Sequence, residues 1–251
     1  MRQKLLTLLL LSFWFIPMEV FGQNGIYIGP QAGVNLSSTF FQNTSELFRN
    51  FPEKEGSGIA YLPTIGYTAR VNFGIPLSNH WSVQLGLGYT QGGQKYEDTY
   101  QLLDGPLNVQ WNVRLGYLQF PLLARYSSHS FGDNVSFSMS FGPTIGIMVQ
   151  GSDEAIFNGV PDSMLADPFI KYNTLDLGLE INPGVDIYFS KTTFLTVAFH
   201  AYVGLVNLNG AYYEQYIPEG QDGLKSQRNL FMGLHVGFNW IIEQRYRNRW
   251  H

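Results

Sequence analysis

The sequence predicts an all-β fold: a closed, antiparallel, eight-stranded up-and-down β-barrel that spans a membrane, with short periplasmic turns and long extracellular loops. Three observations lead there. Apolar and polar residues alternate with period two along eight segments of the 251-residue chain. The connections between those segments are alternately short and long. The apolar side of the segments carries more bulk than an eight-stranded barrel can hold, since its interior has room only for its own side chains or one small ligand.

The first residues stand apart from this pattern. Arg2 and Lys4 precede an apolar run from Leu5 to Ile16, and Val20-Phe21-Gly22 places modest side chains before Gln23. Residues 1–22 therefore read as a signal peptide, because the apolar run is too short for the roughly 20 residues of a membrane-crossing helix. Residues 23–242 form the barrel domain, and residues 243–251 are a polar, basic tail with Arg245, Arg247 and Arg249. There is no cysteine, which excludes a lipoprotein cleavage site and disulfides; packing and backbone hydrogen bonds must hold the fold.

The formal net charge of −4 stays acidic after Arg2, Lys4 and Glu19 leave with the signal. Nucleic acid, which selects a basic patch, is not an expected partner. Charged residues make up 14% and aromatics 16% of the chain, against about a quarter charged in an average soluble domain.

The eight segments are residues 26–36, 61–75, 81–90, 115–126, 134–150, 174–189, 193–207 and 229–241. In the sixth, Leu175, Leu177, Leu179, Ile181, Pro183, Val185, Ile187 and Phe189 alternate with Asp176, Gly178, Glu180, Asn182, Gly184 and Asp186. Residues 76–80, 127–133 and 190–192 are the short turns; 37–60, 91–114, 151–173 and 208–228 read as long polar loops. No Asp, Glu, Lys or Arg falls centrally on an apolar face. That face must then meet lipid, where an Arg or Lys at the midplane would cost about 2–4 kcal/mol.

The opposite face, rich in Gly, Ser, Thr and Asn, then lines the lumen. It carries Arg70, Arg125, Asp176, Glu180, Asp186, His200 and His235, read as a charge-paired filling in which Arg70 or Arg125 meets Glu180 or Asp186, since buried ions need partners; a proton or ion path, or a gate, is the alternative. Phe73, Trp81, Tyr126, Phe189 and Trp240 fall near the short-turn ends and read as the periplasmic aromatic girdle. Ser128, His129 and Ser130 lie together near Asp133, but a catalytic set needs a nucleophile and base within hydrogen-bond reach and an orienting group. No catalytic residue is assigned. The loops carry Asp153, Glu154, Asp162, Asp167, Glu214, Glu219 and Asp222 beside Phe157, Met164, Tyr212, Tyr213 and Tyr216, and read as solvated segments, with a surface partner or divalent ions of the lipopolysaccharide layer as the alternative. No metal spacing or cofactor motif is present, so neither is expected.

The mature chain resembles a known family over residues 23–241. The stretch Ile26-Tyr27-Ile28-Gly29-Pro30-Gln31-Ala32-Gly33, then Gly86-Leu87-Gly88-Tyr89, and above all Tyr117-Leu118-Gln119-Phe120-Pro121-Leu122-Leu123-Ala124-Arg125-Tyr126, look like the PorT-type outer-membrane β-barrel proteins of Bacteroidetes. The resemblance implies a place in the Gram-negative cell outer membrane, with the barrel-insertion machinery, outer-membrane lipid and lipopolysaccharide as partners. The founding member is tied to protein secretion and maturation at the cell surface. This chain departs from many outer-membrane proteins in continuing past Phe238 and Trp240 to His251, where they end on an aromatic.

The expected function is a structural or interaction scaffold presenting long loops at the cell surface, in surface protein handling or secretion, with a further surface or periplasmic protein as partner. A narrow pore for small solutes and a lipid-modifying outer-membrane enzyme are the alternatives.

Overall fold

The computed structural model describes residues 25–40, 60–102, 105–128, 134–162, 169, 172–208 and 227–242. The signal peptide and the tail lie outside these. Eight long strands form the wall: β1 (Ile26–Phe40), β2 (Ala60–Pro76), β3 (Trp81–Leu102), β4 (Gly105–Ser127), β5 (Val135–Phe157), β7 (Leu175–Tyr188), β8 (Thr193–Gly204) and β9 (Arg228–Ile242), with a three-residue β6 (Val160–Asp162) outside the ring. Each strand pairs antiparallel with its sequence neighbours, β5 with β7, and β1 closes on β9. Closure satisfies the backbone groups that an open edge would leave bare in hydrocarbon.

Burial runs opposite to that of a soluble protein. Leu179 is 53% exposed and the next residue, Glu180, is 2% exposed. Ile65, Val34 and Leu234 project outward, while Asn35, Thr90, Gln94 and His235 are buried.

Three expectations need correction. Residues 91–114 are almost wholly strand: β3 and β4 stay paired from Trp81↔Tyr126 to Leu102↔Gly105. Likewise β5 runs to Phe157 and turns back through Asn158-Gly159 into β6. Both turn residues have positive φ, 49° and 83°, the backbone of a tight two-residue hairpin that Asn-Gly favours.

Above the membrane the sense of the alternation inverts, which gives these strand ends the polar look of loops. Below, the outward residues of β3, β4 and β5 are apolar (Leu87, Leu118, Ile147); above, they are Lys95, Asn112, Arg114 and Ser152, while Val109, Val113 and Ala155 turn inward. A wall that leaves lipid for water must turn its polar side out. Third, a bulge opposite Gly116 and Tyr117 adds a residue to β5 and switches which of its residues face in. Asp153, expected on a solvated loop, therefore points inward and accepts a hydrogen bond from the Trp111 indole.

Prolines recur inside the paired strands, where a residue without N–H cannot complete a ladder, and four of them share one pattern. Each leaves a gap on one side only. The ladder skips two residues at Pro30 (β1–β9), Pro121 (β3–β4), Pro143 (β4–β5) and Pro183 (β7–β8). On their other sides Pro30↔Val71, Pro121↔Thr144, Pro143↔Leu179 and Met139↔Pro183 remain paired.

Candidate functional site: the filled lumen

The lumen is filled in layers, each built by the inward residues of neighbouring strands. Nearest the short turns, Arg125 of β4 reaches across to Asp186 of β7, its Nη2 donating to both carboxylate oxygens at 2.6 Å. Ser138 and Thr196 also donate to Asp186 Oδ1, at 3.3 and 2.7 Å. The guanidinium lies 5.8 Å from the Tyr27 ring centre and 6.0 Å from that of Phe194, within cation–π range. A cavity of about 50 Å³ opens from the short-turn end among Ser78, His80 and Tyr188, and Arg125 and Asp186 are among its walls.

The middle layer joins more strands. Arg70 Nη1 of β2 donates to Glu180 Oε1 of β7 at 2.6 Å, and Arg70 Nε donates to Gln31 of β1 at 2.5 Å. Glu180 also accepts from Thr144 at 3.0 Å and Asn182 at 2.8 Å. His200 stands 3.5 Å from Glu180 and 2.8 Å from Asn182 Oδ1. Its ring stacks on His235, with centres 4.2 Å apart and planes 15° from parallel. A run of contacts then circles the wall: His235 to Asn35 (3.0 Å), Asn35 to Thr68 (2.5 Å), Thr68 to Thr90 (3.0 Å), and Thr90 to Gln119 (2.7 Å).

Farther out the filling turns apolar. Tyr96, Val113, Leu115, Tyr117, Met148, Tyr172, Tyr202 and Phe231 are buried as one cluster, with Tyr202 and Phe231 stacked 5.3 Å apart. Sequence reasoning missed this layer. Tyr117, Tyr202 and Phe231 lie on the glycine-rich face, and the bulky residues there were the available signal: each sits across from a glycine that makes room. A Cβ on Gly178 would lie 2.4 Å from the Tyr202 ring, and one on Gly92 would lie 2.1 Å from Phe231.

Of the seven lumen residues named from sequence, the structure joins Arg70, Glu180, His200 and His235 in one layer and Arg125 with Asp186 in another. Asp176 stands apart, in the apolar layer, with Asn229 donating to it at 2.7 Å. The five aromatics lie on the outer surface: Trp81 packs edge-on to Tyr126 at 5.2 Å, and Phe238 links Trp240 (4.7 Å) and Phe189 (6.3 Å), while Phe73 sits across from Ile28. At the opposite rim Tyr67 and Tyr89 stand 5.7 Å apart, an aromatic pair the sequence reading did not name.

The remaining candidates do not assemble. Ser128 spends its hydroxyl accepting from the Phe137 amide at 3.0 Å. Glu154 is exposed on β5 and Phe157 ends that strand. His129, Ser130 and Asp133 lie outside the described residues, as do Met164, Asp167, Tyr212, Tyr213, Glu214, Tyr216, Glu219, Asp222, Arg245, Arg247 and Arg249. Among the described residues no group of three His, Cys, Asp or Glu side chains is placed to hold a metal ion.

A closed ring of eight up-and-down strands, apolar without and ion-paired within, defines a transmembrane β-barrel protein. The model of the outer membrane protein beta-barrel domain family matches residues 21–210, and the chain belongs to that family; its place is the outer membrane. Among solved structures it is similar to the outer membrane protein OprG of Pseudomonas aeruginosa (11% identity, 90% of this chain and 100% of that one, TM-score 0.39). It is also similar to Neisserial surface protein A (12% identity, 86% and 97%, TM-score 0.42) and to the N-terminal β-barrel domain of Pseudomonas aeruginosa OprF (14% identity, 87% and 98%, TM-score 0.34). Likenesses this distant speak to no residue's role. No curated protein matches the sequence.

Proposed function

We propose that this protein is a non-conducting, non-catalytic scaffold of the outer membrane, whose closed barrel holds a raised wall and long loops at the cell surface for a protein partner. The observation that carries this reading is the filling of the lumen. Two ion-paired layers and one aromatic layer lie in series, and Tyr117, Tyr202, Phe231, Glu180 and His235 are each 2% exposed or less. A solute path would need a continuous wet channel. An enzyme would need a nucleophile and base facing an open cleft, and four of the lumen's ionisable groups, Arg70 with Glu180 and Arg125 with Asp186, are spent on one another.

The finer assignments follow from sequence. The Tyr117–Tyr126 block supports placing the chain among the PorT-type barrels of Bacteroidetes, and with them a role in surface protein handling or secretion. Residues 1–22 are the export signal, and lipopolysaccharide surrounds the outer rim. Phe73, Trp81, Tyr126, Phe189 and Trp240 form the periplasmic girdle, where aromatic rings settle between headgroup and hydrocarbon.

Planar-bilayer recording of the purified barrel tests the closed state: the scaffold passes no steady current, whereas a stable conducting level would establish the pore instead. Lipid A mass spectra from a deletion strain test the enzyme; an unchanged pattern is expected.

A further inference from the structure

Asp176, Glu180 and Asp186 all point into the lumen, and each is 1–2% exposed. Glu180 meets Arg70 and Asp186 meets Arg125, both at 2.6 Å. Asp176 has no cation partner among the described residues. Its Oδ2 accepts one hydrogen bond, from Asn229, and its Oδ1 accepts none. The Tyr117 and Tyr202 hydroxyls, both fully buried, border it, Tyr202 turned toward the carboxylate and Tyr117 toward Asn229, and neither closes a hydrogen bond of good geometry.

Glycines bring the neighbouring strands close at this point. Asp176 pairs with Gly146 of β5, and Gly178 pairs with Gly204 of β8. A Cβ on Gly204 would lie 3.1 Å from Asp176 Oδ1, and one on Gly146 would lie 3.5 Å from both Asp176 Cβ and the Tyr117 ring. Three glycines thus let the Tyr117 and Tyr202 rings close around one carboxyl that no cationic side chain among the described residues reaches. The next charged group inward, Glu180, is already matched by Arg70.

An isolated carboxylate is among the most costly groups to bury, and in practice it acquires a positive charge. One negative charge calls for one positive charge. A calcium ion would demand six to eight oxygens and more than one carboxylate, which this corner does not offer. We propose that Asp176, with the oxygens of Tyr117, Tyr202 and Asn229 around it, binds a single monovalent cation at the outer end of the lumen. A proton and an alkali ion are the two sources of that charge.

The test uses the whole refolded barrel in detergent micelles. Thermal unfolding midpoints are read in sodium, potassium and choline chloride at equal ionic strength, and infrared spectra are read for the un-ionised carboxyl band. If an alkali ion is bound, sodium or potassium raises the wild-type midpoint above choline, and Asp176→Asn removes the difference. If a proton is bound, the wild type shows an un-ionised carboxyl band that Asp176→Asn abolishes, and the three salts are equivalent. Tyr202→Phe, which keeps the carboxyl, covers the case in which the Asn variant fails to fold; it shifts that band or weakens the cation effect several-fold. A wild type with only ionised carboxylate and a midpoint indifferent to the cation overturns the proposal, leaving Asp176 an anion held by Asn229 and the tyrosines alone.

Discussion

The inner and outer halves of the lumen solve the same packing problem with different chemistry. Toward the short turns the space is filled by long polar side chains that neutralise one another across the barrel, Arg125 against Asp186 and Arg70 against Glu180. Toward the loops it is filled by rings, with Tyr117, Tyr202 and Phe231 interlocked over glycines. The inner half gains specificity, because each ion fits one partner. Its net stabilisation is modest, since desolvation offsets much of the Coulombic gain. The outer half relies on apolar burial and shape. Asp176 shows the difference most sharply: it lies in the ring-filled half, and unlike Glu180 and Asp186 it meets no arginine among the described residues.

Breaking the inner half at one partner should have the largest effect. Glu180→Ala strands the Arg70 guanidinium in a dry interior and should cost up to about 5 kcal/mol, read as a lowered urea midpoint of the refolded barrel. A loss under 1 kcal/mol would mean that water reaches this layer. Phe231→Ala opens the outer half instead. It should cost about 3 kcal/mol by cavity formation, and xenon or benzene should restore part of the lost thermal stability.

Gly178→Ala sharpens the contrast, because its Cβ would meet the Tyr202 ring at 2.4 Å. Overpacking there should cost about 2 kcal/mol, and pairing it with Tyr202→Ala should recover much of that loss in a double-mutant cycle. Thr144→Ala removes one of several donors to Glu180, and calorimetry should show a loss of only about 1 kcal/mol.

The lipid-facing half of this fold was legible because hydrocarbon tolerates no exception: period two with an uncharged face runs through all eight strands. The ion-pair chemistry was legible as residue types, while the choice of Glu180 for Arg70 and Asp186 for Arg125 depends on register, which no local pattern records. The raised wall was hidden for a different reason. Residues 107–114 alternate as strictly as the membrane strands, but with Val109 and Val113 inside and Asn112 and Arg114 outside, so a search for an apolar exterior passes over them. The bulge that turns Asp153 inward adds a single residue, and alternation read across it assigns the wrong face.

Every layer described depends on which side of each strand meets lipid. The most direct test is the fraction of chain assembled and heat-modifiable in the outer membrane for two variants on adjacent strands, Leu179→Arg on the exposed face and Ser138→Ala on the buried one. With the apolar face in lipid, Leu179→Arg fails to assemble, at a cost of about 2–4 kcal/mol near the midplane, while Ser138→Ala assembles like the wild type. Equal assembly of the two would contradict that placement.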